Sequence, residues 1–535
     1  MRWKEFSICL ALAAASGSLV AQLEEDGRQN FHQGSPVPGQ FLTVDPNARY
    51  GSTLAVGDYN CDGLDDVAIG LPNYDVSGND DAGGVIVLYA RNTSQGLSTT
   101  DRQFFTQVNL ADGQDPDPGE HFGRELASGN FNGGTCDDLV IGVPEDVVEF
   151  FPRAGSVHVL YGSANGLVES QFRTTFWSRA DDDINPAPAS IQSAEFGSAL
   201  AVGDFNDDGF DDLAIGAPDL QSVTSTGGVR ENSGAVHILF GSSGPGLGEA
   251  GNLLLRRGLN LEGEPDEGER LGAVLAAGDT LGGTAIPGDQ LFIGLPNFDL
   301  GLEDDVGALM LVRDIGQVQG APFSATFHQD SSGIPGGAEP GDDLGAALAT
   351  GDFDGDGFIE IAAWVRGEDL GIPVVNNVGA VNLFDFTGGG GHQFWDQNDI
   401  GFEQGYEEND RFGAAMVGAD FNGDGIDDLA IGVPREDITF GPINTTNVGV
   451  VHVLNGRVDE GLSVIGVETW FNEESGLLEG DRFGAALAAG SIRGNPSADL
   501  VVGVPFDDPE EENAGSIAVI YSARSDGLFS DRFED

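Results

Sequence analysis

Four stretches of this chain array oxygen-bearing side chains at alternate positions along a short loop. They are Asp58, Asn60, Asp62 and Asp66; Asp204, Asn206, Asp208 and Asp212; Asp352, Asp354, Asp356 and Glu360; and Asp420, Asn422, Asp424 and Asp428. Counted from the first member, each set occupies positions 1, 3, 5 and 9, with a Gly at position 6 that lets the chain curl. Leu64, Phe210, Phe358 and Ile426 at position 7 would each add a backbone carbonyl. Asp, Asn and Gly also make ordinary turns. Carboxylates crowded into one turn, however, repel by on the order of 1 to 4 kcal/mol per close pair, which a turn alone does not require. Hard-cation chemistry is the expectation: Ca2+, at about four sites. These are not EF-hands, because position 12 holds Ile69, Ile215, Ala363 or Ile431 where that loop needs a Glu.

The elements that must position the loops recur with them. In Phe196 to Pro218 an apolar run, Ala199 to Val202, enters the loop, and a second, Leu213 to Ile215, leaves it for Gly216-Ala217-Pro218. Two short apolar runs around an Asp/Asn/Gly loop predict a β-hairpin. The apolar-Gly start returns at Gly51, Gly123, Gly197, Gly272, Gly345, Gly413 and Gly484, 68 to 75 residues apart, and each loop begins seven residues after that Gly. A fixed period means a repeat architecture. Three copies carry degenerate loops. Repeat 2 has Asn130, Asn132, Gly134 and Asp138, repeat 4 lacks the pattern, and repeat 7 has Ser491, Arg493, Asn495 and Asp499. No calcium is expected there, and Arg493 is expected to replace the missing cation by pairing with Asp499.

The residues Phe196-Gly197 and Gly216-Ala217-Pro218, with IGLP, IGVP and VGVP in other copies, resemble the FG-GAP repeat of the propeller at the head of integrin alpha chains. That resemblance implies an all-β fold, a seven-bladed β-propeller with calcium in some blade loops. Four strands per blade are expected. Strand A follows the FG, strand B is the VAIG-type run, strand C follows a Gly such as Gly84, and strand D carries aromatics such as Phe104-Phe105 and Trp470-Phe471. Repeat 5 has Ala-Ala-Trp in strand B, and repeat 7 has no clear strand D. Phe31-His32-Gln33 repeats the pattern of Phe327-His328-Gln329, so an N-terminal strand is expected to close the ring, with the propeller spanning 31–528.

The chain has 535 residues and a net charge of −65. Such a surface repels phosphate backbones and anionic membranes, so nucleic acid and membrane insertion are not expected. Arg2 and Lys4, an apolar run from Ile8 to Ala15 and small residues to Ala21 read as a signal peptide over 1–21, cut near Ala21. A short leader over 22–30 and a tail over 529–535 flank the blades. The protein is thus expected to be secreted or held at a cell surface. Cys61 and Cys136 remain after cleavage, both in hairpin loops; an oxidising compartment permits a bond between them, but loops of adjacent blades could lie too far apart. Asn92 and Asn444 stand in glycosylation sequons.

His158, His237 and His452 share one strand C slot with Ile86, Met310, Asn382 and Ala518, and so read as packing positions. No HExxH, GxSxG, P-loop or Cys-x-x-Cys is present, and no catalytic residue is assigned. The expected function is recognition or adhesion by a monomer that takes an extracellular protein or carbohydrate. The alternatives are an extracellular enzyme acting on polysaccharide or a lipid anchor, and a structural surface protein. The ligand is expected on the face opposite the acidic loops. The long B–C segments Asp219 to Ser233, Arg435 to Val448 and Phe506 to Ala514, and the D–A stretch Arg179 to Glu195, gather there, and their acids favour a basic or cation-bridged ligand.

Overall fold

The computed structural model describes residues 23–34, 44–91, 95–110, 115–148, 150–168, 176–178, 193–244, 246–281, 288–316, 322–371, 374–387, 390–402, 405–440, 443–472, 479–509 and 511–522. The segment expected to be a signal peptide, the expected tail, the sequon Asn92 and most of Arg179 to Glu195 lie outside them.

Seven four-stranded antiparallel sheets follow one another along the chain. Blade 1 is Leu54–Gly57, Asp66–Leu71, Gly84–Ala90 and Leu97–Phe105. Blade 3 is Leu200–Gly203, Asp212–Ala217, Ala235–Phe240 and Gly248–Leu255. The other blades repeat this order A-B-C-D, and strands A approach one another from blade to blade all the way round, with Leu54–Gly57 meeting Ala486–Gly490. Strand A is therefore innermost, and the ring is closed. All six residues of every strand B are buried, as expected of short apolar runs without alternation that lie between two other blades.

The core is not central. It consists of seven apolar clusters, each mixing side chains of two adjacent blades. The first, for example, joins Val140 and Trp177 of blade 2 to Phe196 and Ile215 of blade 3. Each blade thus buries itself on its neighbours, the physics of repeat stacking.

The paired glycines of the repeat meet across these junctions. A Cβ on Gly216 would lie 1.9 Å from the carbonyl oxygen of Gly272, and one on Gly503 would lie 2.2 Å from that of Gly51. The Gly of each apolar-Gly start therefore sits on the strand B Gly of the preceding blade, except where that blade is blade 5. Repeat 5 departs here: Trp364 occupies the strand B slot and lies over Gly413 of blade 6. Only a glycine at 413 leaves room for that indole.

Among the described residues blade 7 has three strands of its own. Leu23–His32 supplies the fourth, pairing antiparallel with Ser516–Ser522 from Leu23↔Ser522 to His32↔Ser516. The N-terminal closure read from the sequence is thus present, but the strand begins at Leu23 rather than at 31, so the segment 22–30 is largely strand and not a leader. Arg28 ties the strand to blade 6 by donating to the Phe471 carbonyl and to Asn472 Oδ1, both at 3.1 Å.

The B–C segments are more regular than expected. Ser222–Val223 pairs with Val229–Arg230, and Ile438–Phe440 with Ile443–Thr445, as small ribbons projecting opposite the acidic loops. The shared strand C slot is buried in all seven blades, from Ile86 to Ala518. His158 packs edge-on against Phe122 and Phe176, and His237 against Phe196. His452 is pushed down to about 3 by burial and is neutral.

Candidate metal centres in the acidic loops

Each complete loop joins strand A to strand B, with position 9 opening strand B opposite the last residue of strand A, as in Gly57↔Asp66 and Ala419↔Asp428. The position 6 glycines hold left-handed φ values of 83, 85, 91 and 87° at Gly63, Gly209, Gly357 and Gly425. This is the turn for which a Gly was expected.

Main-chain donors crowd the position 1 carboxylates. Asp58 accepts from Asp62 N and Gly63 N at 3.0 and 2.9 Å, and Asp204 accepts from Asp208 N and Gly209 N at 3.0 and 2.8 Å. Asp420 accepts from Gly423 N, Asp424 N and Gly425 N, and Asp352 from Gly357 N. Position 5 in turn accepts the N–H of position 7: Leu64 to Asp62, Phe210 to Asp208, Phe358 to Asp356 and Ile426 to Asp424. With its N–H directed inward to position 5, position 7 keeps its carbonyl for other partners.

Blade 5 brings the most charge together. Asp352, Asp354 and Asp356 place carboxylate oxygens within 4.8 Å of one another. Asp352 Oδ1 and Glu360 Oε1 are buried without a hydrogen-bond partner among the described residues. The other three loops carry Asn60, Asn206 or Asn422 in the middle, so an amide oxygen replaces the third carboxylate; Asn206 Oδ1 is likewise buried without a partner. Oxygens that are buried, unpartnered and close to like charge fit a hard cation. Burial pushes Glu360 up to about 9, and nearby Asp354 adds to this. Burial likewise pushes Asp66, Asp212 and Asp428 up to about 8, despite the N–H groups they accept.

Position 9 does a second job that the sequence did not disclose. Asp212 Oδ1 accepts Gly241 N at 2.8 Å and its Oδ2 accepts Phe205 N at 3.0 Å, so it ties the A–B loop to the C–D turn. Asp66 takes Ala90 N and Asp428 takes Gly456 N in the same way. So do Asp138, from Gly162 N, and Asp499, from Ser522 N, in the degenerate loops 2 and 7. Those loops keep their position 9 acid for this bond. In blade 4, Gln290 has the slot and accepts Thr280 N and Oγ1, both at 2.8 Å. Arg493 donates its backbone N–H to Asp499 and lays its guanidinium on the Tyr521 ring; burial raises the Asp499 pKa, and Arg493 is among the groups that oppose the rise.

Position 8 was also missed. Asp65, Asp137, Asp211, Asp289 and Asp427 each reach the preceding blade and accept the N–H of its loop position 1. The recurring Asp-Asp pair at positions 8 and 9 was the signal that could have found them. Cys61 and Cys136 are bonded, with Cα atoms 4.6 Å apart, and so bridge loops 1 and 2. The doubt about distance is resolved by a main-chain bond, Asp137 N to Asp58 O at 3.0 Å, which draws the two loops together.

Comparison with known proteins agrees with this geometry. The FG-GAP repeat model matches residues 50–88, 196–239 and 412–454, within blades 1, 3 and 6. The chain is 27% identical to human phosphatidylinositol-glycan-specific phospholipase D over 445 residues, 80% of this chain and 48% of that protein. It is 34% identical to Drosophila melanogaster integrin alpha-PS2 over 174 residues, 31% of this chain and 11% of that one. With rat phosphatidylinositol-glycan-specific phospholipase D it shares 32% over 188 residues, 35% of this chain and 20% of that one. The chain thus spans about half the length of these relatives, or less. The chain is thus a seven-bladed β-propeller that carries FG-GAP repeats in three of its blades and is similar in sequence to integrin alpha chains.

Proposed function

We propose that this chain is a secreted, calcium-binding recognition module. On this reading it is a monomer that takes an extracellular protein or glycan on the face opposite its acidic loops. The observation that carries the calcium part is blade 5, where three carboxylates converge beside the unpartnered Asp352 Oδ1 and Glu360 Oε1. Calcium there would neutralise charge that the fold otherwise confines, and would stiffen one end of the blades. Secretion is supported by the apolar N-terminal stretch and by the Cys61–Cys136 bond, which needs an oxidising compartment. Among the described residues no helix is long and apolar enough to cross a membrane. The recognition face is argued from its loops: the B–C segments are long and differ between blades, and two of their tips present Phe150 and Leu302 at 92% and 99% exposure. The test replaces Asp219 to Ser233 with a short Gly-Ser turn, confirms the fold by its melt, and measures capture of binding partners. Full capture after equivalent swaps in blades 3, 6 and 7 would remove this face from the reading.

The match over 80% of the chain to a phosphatidylinositol-glycan-specific phospholipase D supports a second reading, an extracellular enzyme acting on a lipid anchor. Incubating the mature protein with a phosphatidylinositol-glycan-anchored substrate separates the two. Release that grows with time and with enzyme favours catalysis, and stoichiometric capture without release favours recognition.

A further inference from the structure

In a chain of net charge −65 with only 23 Lys and Arg residues, a guanidinium finds an acid readily. On one half of the face opposite the acidic loops this happens. His121 and Arg124 lie against Glu145, Arg153 and Arg270 meet Glu195, Arg270 also meets Asp219, and Arg366 meets Asp343. On the other half, Arg49, Arg411, Arg435 and Arg482 make no ion pair among the described residues.

Their placement is systematic. Arg49, Arg411 and Arg482 stand directly before the first aromatics of blades 1, 6 and 7, each held in the left-handed region at φ 58, 64 and 60°. Arg435 follows strand B of blade 6, as Arg366 follows that of blade 5. Arg482 and Arg49 share one platform, with guanidinium carbons 4.1 and 5.1 Å from the centroid of the Phe506 ring. Arg411, Arg435 and Arg482 are half-buried, and Arg482 Nε is buried with no hydrogen-bond partner among the described residues. Burial, and then the like charges of Arg435, Arg366 and Arg482, hold Arg411 below the usual arginine range; burial, with Arg435 and Arg49, does the same to Arg482. The acids next in sequence do not relieve them. Burial raises Asp410 to about 8 and Asp481 to about 7, and the charges around those two are other carboxylates: Glu407 and Asp437, and Asp507 and Asp508.

We propose that Arg49, Arg411, Arg435 and Arg482 form an anion site for a doubly charged oxyanion, a phosphate or sulfate group, between blades 6 and 1. Two guanidiniums on one ring, with Arg435 and Arg411 near enough to act on Arg482 and on each other as like charges, exceed what a single carboxylate can satisfy, and they suit a tetrahedral dianion that accepts several N–H bonds. The aromatic platform fixes two of the guanidiniums, so less ordering is needed on binding. The site owes nothing to calcium, whose loops lie at the other end of the blades, so its failure and that of the calcium reading are separable.

The test is isothermal titration of the full chain at low ionic strength with inorganic sulfate, with a sugar phosphate and with acetate. Both dianions should saturate at a single site, weaken with added salt, and bind well above acetate. A sugar phosphate binding more tightly than sulfate means the carrier is read as well; equal binding means the free anion is. The pair Arg411→Gln with Arg482→Gln should weaken binding by about tenfold or more, while Arg124→Gln, on the paired half, leaves it unchanged. Arg435→Gln alone, with its melt matched to the parent, covers the case in which the double variant does not fold. No saturable dianion binding, or an equal loss in Arg124→Gln, overturns the proposal.

Discussion

The backbone N–H of Asp58 donates to Asp137 Oδ2 at 2.9 Å, and the N–H of Asp137 returns to the Asp58 carbonyl at 3.0 Å. This reciprocal clasp joins blades 1 and 2, and it recurs between Asn130 and Asp211, Asp204 and Asp289, Asp352 and Asp427, and Ser491 and Asp65. At the two remaining junctions the acid is Ile359 or Ala498, and only the main-chain bond is kept. Those two positions show that the slot accepts an apolar side chain, so Asp137→Ala should fold. It should cost about 1.5 to 3 kcal/mol, the worth of a charge-assisted hydrogen bond. A thermal melt in calcium buffer checks this, and an unchanged melt would mean that the carboxylate adds nothing to the main-chain bond.

Calcium is expected to stabilise the fold through four loops. A ligand present at about 100 times its dissociation constant adds roughly 2.7 kcal/mol per native site. Melts with calcium and with chelator should therefore differ by many degrees, and calorimetry should count four sites. Asp208→Ala or Asp356→Ala should each remove one. Identical melts would leave the loops as turns alone.

Stability should fall as pH rises across the neutral range. Asp410 and Glu436 lie together with Glu407, Asp437 and Gln397, and burial raises their pKa values to about 8 and about 9. Unfolded, such groups titrate near 4, so between about pH 4 and 9 the native state binds more protons than the unfolded one. The stability contributed by these protons is complete at the acid end and is lost as pH passes the raised values. Glu436→Gln, which keeps the shape and needs no proton, should flatten the fall in melting temperature between pH 6 and 9. A slope as steep as the parent's would show that Glu436 is not among the titrating groups.

Removing residues 23 to 33 should expose Ser516–Ser522 as a bare edge. Aggregation or a sharp loss of stability is expected, read by light scattering and by the melt. The truncation also deletes Phe31 from the core of blades 7 and 1, and with it the Gln29 amide that accepts the Tyr521 hydroxyl. A monomer with the parent's melt would show that the closing strand adds little.

The fold was readable because its signals repeat. One hairpin flanked by glycines is weak evidence, but seven in register leave few alternatives. The loops were readable as one recurring turn because oxygen-bearing side chains return at fixed spacing around a Gly. What stayed hidden depends on the neighbouring blade. Asp137 looks like one more acid beside Asp138 until the fold sets it against Asp58. The retained Asp138 and Asp499 looked like remnants of a metal loop, whereas Asp138 holds the turn after strand C and Asp499 holds the end of strand C. Arg411 and Arg482 did not stand out in sequence, because nothing there says which arginines lack an acid. The Cys61–Cys136 distance depended on how closely adjacent loops approach, which no spacing along the chain reports.

The closing strand also sets an order of events during synthesis. Leu23 leaves the ribosome first, and its partner Ser522 follows roughly 500 residues later. At about 5 to 20 residues per second, that interval is roughly 25 to 100 s. For all of it the N-terminal strand has no sheet to join, and blade 1 has no blade 7 to lean on. A ring that locks only on its last strand favours chains kept unfolded until they are whole. Translocation as an extended polypeptide, with folding on the far side, would provide that delay.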